Sequence, residues 1–344
     1  MDIPELFLDF DSTDALVRET DDDSPTPPPK VAPYYVDSFR GLRLYQGDAL
    51  ELLRRARSDI FDMVFADPPY FLSNNGVTCQ SGKMVSVNKG KWDKSEGFAA
   101  DHQFNLDWLR ECQRLLKPNG TLWVSGTSHN IYSVGYALQT LGYKILNDIA
   151  WYKVNPPPNL ACRYFTHATE TVIWAAKNPK SKHVFHYPLM KQMNGGKQMQ
   201  SLWHITPPAR HEKRFGKHPT QKPETLLARI IQAATGEGDL ILDPFCGSGT
   251  TGVVSVRFGR RFVGFDISEE YLELGAKRIS DESGREIEQG RFALDTDNNV
   301  DKCTRGGGSL WNAPMPSFAY NNCRVRTCVP LPTSTASLFV VKGK

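Results

Sequence analysis

Two short apolar runs in this chain each end on an aspartate followed by proline, and each then turns sharply. Met63, Val64, Phe65 and Ala66 lead into Asp67, Pro68, Pro69 and Tyr70. Leu240, Ile241 and Leu242 lead into Asp243, Pro244, Phe245, Cys246 and the turn Gly247, Ser248, Gly249, Thr250, Thr251, Gly252. An apolar run of four to six residues closed by proline or glycine reads as a buried strand, and buried strands belong to sheets covered on both faces. The same grammar runs through the middle of the chain. Strands are expected over 43–47, 62–66, 121–124, 148–153, 170–176, 239–243 and 261–266. Helices are expected from Asp48 and over 103–116, 131–141, 223–234, 250–258 and 269–279. The cluster Lys117, Pro118, Asn119, Gly120 is expected to break the chain between a helix and a strand. Strands alternating with helices predict an α/β fold built on a doubly wound, mainly parallel seven-stranded sheet.

The ends read differently. Residues 1–33 hold nine acids among the first thirty positions, then a run of prolines, and predict a disordered arm. Residues 34–294 are expected to form the folded domain, and 295–344 a low-complexity tail with one strand over 337–341. At 344 residues and 40% hydrophobic content the chain can bury a full core. No apolar run is long enough to cross a bilayer and no secretory signal is visible, so a cytoplasmic protein without a membrane partner is expected. Seven cysteines without a CxxC pair predict reduced thiols rather than a zinc site.

The net charge of +3 conceals a strong asymmetry. Residues 153–222 contain twelve Lys or Arg against Glu170 and Glu212, with six of the eight histidines and many aromatics. Basic residues interleaved with aromatics suit a polyanion with stackable bases, although a solvated basic face over an ordinary core reads the same way. Arg163, Lys191, Lys197, Arg210, Lys213 and Arg214 are the candidates for phosphate contact, and about 155–215 is the expected target-recognition segment.

The glycine turn spells GxGxxG, and Asp266 downstream fits a dinucleotide fingerprint. Asp243 weighs against that reading, because a carboxylate at the strand end repels a pyrophosphate. It attracts the ammonium or sulfonium of S-adenosylmethionine, which carries no phosphate. In that reading Phe245 supplies an apolar wall, Gly247 and Gly249 let the backbone approach, Thr250 opens the helix, and Asp266 accepts from ribose hydroxyls. Thr220 and Lys222, in a proline-bounded helix entry, can reach the cofactor's carboxylate. Asp48 can accept from its adenine amino group, cap the following helix, or do both.

The tetrapeptide 67–70 carries the chemistry. An aromatic amino group is a poor nucleophile because its lone pair is delocalised into the ring. Two acceptors, the Asp67 carboxylate and the Pro68 carbonyl, would localise that lone pair on nitrogen. Pro68 and Pro69 stiffen the backbone, and Tyr70 offers a face for a base taken from its stack. Transfer of an already activated methyl group requires no metal.

With these motifs in view, the chain over about 40–285 resembles the amino-methylating DNA methyltransferases of the permuted beta group. In that group the catalytic tetrapeptide precedes the recognition segment and the cofactor glycines come last. Residues 71–74, 85–93, 129–135 and 159–170 resemble the DpnA-type adenine methyltransferases more closely. The resemblance implies the S-adenosylmethionine-dependent methyltransferase fold and adenine-N6 methylation of DNA, with GATC as target in duplex and single strands. It also implies a bacterial or phage restriction-modification system with a cognate restriction endonuclease at the same site. Aspartate at position 67 favours adenine-N6 over cytosine-N4. A non-catalytic DNA-binding protein of the same fold is the alternative from another class, and a homodimer is left open.

Overall fold

The structure, a computed structural model, describes residues 6–7, 31–71, 77–80, 83–86, 93–156, 158–159 and 162–284. The chain divides into two units, Met1–Thr296 and Asp297–Lys344, and every described residue belongs to the first. The tail over 295–344 with its expected strand, most of the arm, and residues 72–74 and 87–92 lie outside the described residues. Within the arm, Leu6, Phe7 and residues 31–33 are described, and Val31 packs against the core. Leu6 is buried and its carbonyl accepts from the Arg57 amide, while the Phe7 ring stands edge-on to Tyr45, centroids 5.0 Å apart. The expectation of disorder over all of 1–33 is therefore corrected at Leu6, Phe7 and Val31, where apolar residues of the arm find a cover on the core.

The strands are β1 (Tyr35–Asp37), β2 (Leu42–Gln46), β3 (Phe61–Ala66), the hairpin β4 (Val77–Gln80) and β5 (Lys83–Ser86), β6 (Leu116–Gly126), β7 (Lys144–Tyr152), β8 (Thr169–Ala176), β9 (Leu202–His204), β10 (Leu240–Asp243) and β11 (Arg261–Asp266). The helices are α1 (Ala49–Arg55), α2 (Phe98–Leu115), α3 (Ile131–Thr140), α4 (Tyr187–Met193), α5 (Glu224–Ala234), α6 (Thr250–Arg257) and α7 (Glu269–Ser283). One sheet has the order β1-β2-β11-β10-β3-β6-β8-β7-β9. The seven strands expected from the sequence are contiguous within it, from β2 to β7. β2, β11, β10, β3 and β6 are mutually parallel, and β8 runs against β6 and β7. The described sheet has nine strands rather than seven, because the three-residue strands β1 and β9 add one edge each. Runs that short carry little periodicity to read.

Alternation along the strands splits the core into two layers. Val64 and Ala66 face Trp108, Leu109 and Val134 of α2 and α3, whereas Met63 and Phe65 face Leu226, Ile230 and Val254 of α5 and α6. The cluster 117–120, expected to interrupt the chain, is instead part of β6. A register shift between Phe61 and Met63 absorbs it, Lys117 reaches both oxygens of Asp62 at 2.8 Å, and a Cβ on Gly120 would stand 3.1 Å from the Asp62 carbonyl. Glycine is what permits that approach.

This winding places the functional end. From β10 the chain enters α6 on one face, whereas from the adjacent parallel strand β3 it proceeds to α2 on the other. Helices leaving adjacent strands toward opposite faces open a crevice at the strands' carboxyl ends. Asp67 and Asp243 both stand at that crevice.

Candidate active site

The tetrapeptide is held by side chains from three other segments. Asp93, fully buried, accepts from the amides of Tyr70 and Phe71 at 2.9 and 2.8 Å. Phe71 adopts a left-handed backbone, φ 57°, an unusual conformation for a non-glycine residue that turns the chain out of the loop. The Asn130 side chain donates to the Pro69 carbonyl at 3.3 Å. The Tyr70 hydroxyl donates to Asp67 Oδ1 at 2.7 Å and lies 3.4 Å from both Ser125 Oγ and Glu170 Oε2. Tyr70 itself is only 5% exposed.

Lys222 is the second partner of Asp67. Its Nζ donates to Asp67 Oδ2, lies 5.3 Å from the Tyr70 ring centroid and stands 3.9 Å from Glu170 Oε2. Lys153 holds the other oxygen of Glu170. Burial pushes the Asp67 carboxyl up, with Lys222 and the Tyr70 hydroxyl opposing the shift. Burial also works against the Lys222 cation, but Asp67 and Glu170 outweigh it and its net shift is upward. The lysine is therefore a buried cation surrounded by carboxylates.

A cleft of about 270 Å³ opens beside this group, lined by Asp67, Pro69, Asp48, Asp266, Gly247 and Thr220 among others. Phe104, Phe245, Ile267 and Tyr271 provide its apolar walls, and among the described residues no lysine or arginine lines it. Asp48 and Asp266 face the cleft without such a cation, while Asp67 is paired with Lys222 behind it. Such a lining suits a positively charged ligand with an aromatic part and would repel a pyrophosphate. The lining therefore fits S-adenosylmethionine and not a dinucleotide.

Each expected cofactor residue has a definite place. Asp266 accepts from the Gly247 and Ser268 amides, both at 2.8 Å, and burial raises its carboxyl. Asp48 lines the cleft and also caps α1, accepting from the Glu51 amide at 3.0 Å. Gly249 has φ 70°, and a Cβ there would stand 2.8 Å from Gly275 Cα, so its need for glycine comes from packing on α7. Asp243 lies behind the cleft, in a smaller cavity shared with Lys222 and Thr250. Its oxygens accept from Thr251 Oγ1 at 2.5 Å and the Phe245 amide at 3.1 Å, and burial pushes its carboxyl up to about 7. The Thr250 hydroxyl accepts from Arg278 at 2.9 Å.

The basic candidates separate in space. Arg163 is exposed beside Tyr164 and Phe165, the latter 96% exposed, in the loop joining β7 to β8 at the crevice end. Lys191 lies on α4, whose start is tied to the carboxyl end of α5 by the His186 amide donating to the Ala233 carbonyl. That end of the sheet is opposite the tetrapeptide. Lys197 is exposed in the connection that follows α4, and Arg210 precedes, and Lys213 ends, a 3-10 turn over His211–Lys213. Arg214 pairs with Asp281 of α7.

The family model described as DNA methylase, for N6 and N4 amino-methylating enzymes, matches residues 61–277. Curated relatives agree. The Type II methyltransferase M2.DpnII of Streptococcus pneumoniae is 54% identical over 252 residues, 73% of this chain and 93% of the relative. The chain belongs to the DNA methylase family. M2.LlaDCHI of Lactococcus lactis subsp. cremoris is 55% identical over 72% of this methylase and 92% of its own length, and M2.MboI of Moraxella bovis is 47% identical over 72% and 91%. The solved complex of M1.HpyAVI with SAM covers 69% of this methylase and 98% of that chain, with 27% identity and a TM-score of 0.52. The cytosine-N4-specific PvuII methyltransferase shares the fold at 22% identity, covering 73% and 94%, with a TM-score of 0.56.

Several residues of the methylase's site carry no role in the sequence reading: Asp93, Ser125, Lys153, Glu170, His218 and Tyr271. Asp93 and Glu170 fall within stretches that resemble the DpnA type, but resemblance alone assigned them nothing. Lys153 and Glu170 offered one further signal, since each is a charge at the end of a strand and borders its apolar residues. Asp93 offered none in its local sequence.

Proposed function

We propose that the protein methylates the N6 amino group of adenine in DNA, at GATC, using S-adenosylmethionine. The observation that carries this reading is that Asp67 and Pro69 line the same cleft as Asp48, Gly247 and Asp266. An acceptor for an amino group and a cradle for a cationic cofactor thus share one space. Aspartate at position 67 and the kinship with M2.DpnII and M2.MboI support adenine and GATC.

When bound over Asp48, Asp266 and Phe245, the cofactor supplies a methyl group activated by its sulfonium, which departs as a neutral thioether. The protein's own residues act on the amino nitrogen. Asp67 and the Pro68 carbonyl accept its two hydrogens, drawing the lone pair out of the ring, and Tyr70 carries the flipped base. Once methylated, the nitrogen is cationic and loses one proton, which Asp67 accepts and passes to water. Asp93 and Asn130 keep the loop in place while this happens. Thr220 lies at the junction of the two cavities, within reach of the cofactor's polar end. Residues 34–294 form the catalytic domain, and about 155–215 reads the target. Arg163 with Phe165 is the contact nearest the crevice, while Lys197, Arg210 and Lys213 extend the phosphate track and Lys191, at the far end of the sheet, stands outside it.

A cognate endonuclease at the same site and a cytoplasmic location in a bacterium complete the reading. Labelled-methyl transfer to duplex and single-stranded DNAs with and without GATC tests it, with nucleoside digestion to identify the product. N6-methyladenine confined to GATC is expected. N4-methylcytosine, or equal labelling without GATC, overturns it.

A further inference from the structure

Lys222 occupies the place that the target base must take. Its ammonium donates to Asp67 Oδ2, the carboxylate assigned to the incoming amino group, and it sits over the ring of Tyr70, the face assigned to the base. Both Tyr70 and Lys222 are buried. A nitrogen donor above an aromatic face and against a carboxylate reproduces the contacts expected of an adenine amino group there. A base cannot rest on Tyr70 while the lysine covers it.

The structure also holds a destination for the displaced cation. Glu170 Oε2 is 3.9 Å from Lys222 Nζ, and Lys153 grips the other oxygen, fixing the carboxylate that faces the lysine. We propose that Lys222 is a stand-in for the target amino group: it closes the base pocket at rest and shifts from Asp67 to Glu170 when the base enters. This inference rests on the reading of Asp67 as the acceptor of that amino group. The charges around the lysine come from every neighbouring element: Asp67 and Tyr70 after β3, Glu170 on β8 with Lys153 beyond β7, and Asp243 at the end of β10. Exchange between two carboxylates leaves the net charge of the pocket unchanged and requires only side-chain rotation, so the closed state is easily opened.

Two substitutions should act with opposite sign. Lys222→Met removes the stand-in, and Glu170→Gln removes the destination. The full-length protein is mixed with DNA carrying 2-aminopurine at the target adenine, whose emission rises when the base leaves the duplex stack, and DNA affinity is measured on the unmodified site, whose adenine carries the amino group that competes with the lysine. Lys222→Met should raise the bound emission and tighten DNA binding by about tenfold, the lower end of the scale of one charge-assisted hydrogen bond. Glu170→Gln should lower both, and Lys222→Arg, which keeps a cation over Tyr70, should stay near wild type. Thermal unfolding of each variant confirms that the fold is intact. A fall in emission with Lys222→Met, or the same sign for both substitutions, overturns the proposal. Methyl transfer by Asp67→Asn separates the two failures. Wild-type transfer by that variant removes the reading beneath, whereas an inactive variant with same-sign effects removes the stand-in alone.

Discussion

The cofactor side and the base side of this crevice are built in opposite ways. The cofactor side is mostly local: Asp243, Phe245, Gly247, Thr251 and Asp266 come from one strand-turn-helix-strand segment, tied by bonds such as Gly247 amide to Asp266 and Thr251 to Asp243. Asp48, Phe104 and Thr220 reach in from elsewhere. The base side is assembled from Asp67, Tyr70, Asp93, Ser125, Asn130, Lys153, Glu170 and Lys222, and its central pair spans 155 positions. A local site depends on turn geometry, and damage there should appear as lost folding or lost cofactor. A dispersed site depends on tertiary packing, and damage there should appear as lost chemistry with the fold intact.

The sharpest break of this contrast is Asp67→Asn. Methyl transfer should fall by at least about a thousandfold, the upper scale for removing one preorganised electrostatic partner. Cofactor binding by calorimetry should stay within about twofold. Asp93→Ala comes next. It strands the Tyr70 and Phe71 amides, and a lost charge-assisted bond of roughly 1.5–3 kcal/mol predicts a ten- to hundredfold fall in kcat. Single-turnover rates measure it, and an unchanged rate would mean that the loop is held by other means.

On the local side, Gly249→Ala places a Cβ against the Gly275 backbone at a left-handed φ. A loss of about 1–3 kcal/mol in unfolding free energy is expected from denaturant titration, with cofactor affinity falling alongside. Asp243 supplies a pH signature. Its folded-state carboxyl, raised to about 7 from 3.8, holds its proton longer in the folded than in the unfolded chain. Its stabilising contribution is thus complete below pH 4 and is lost as pH rises to 7, on the order of a few kcal/mol. Asp243→Asn should flatten that slope in thermal unfolding at a series of pH values. The smallest effect concerns the rim: Arg163→Ala should weaken DNA binding severalfold and reduce the salt slope by about one, uniformly across sequences.

The same contrast explains what was legible before any coordinates. The succession of the seven central strands along the chain and the helix cap at Asp48 follow from apolar periodicity punctuated by proline and glycine, whereas which strands lie side by side does not. The tetrapeptide and the glycine turn were legible because each is contiguous. The edge strands β1 and β9 were not, since three residues carry no period. The cluster 117–120 reads as a break in the sequence because a bulge is set by the partner strand, in this case by Phe61 to Met63. Arg163 and Lys191 looked equivalent as members of one basic window, yet β7 and β8 carry one to the crevice while α5 ties the other to the far end.

By itself the sequence determined that the seven central strands exist, which of them end on carboxylates, and where the chain turns after β10. Those properties depend on neighbours within a few positions. Only the tertiary structure decided that Lys222 meets Asp67 rather than the open cleft, that Asp243 lies behind it, and that Glu170 stands next to both Tyr70 and Lys222. Whether two charges meet is set by the register of strands far apart in the chain, and a buried charge takes whichever partner that register delivers.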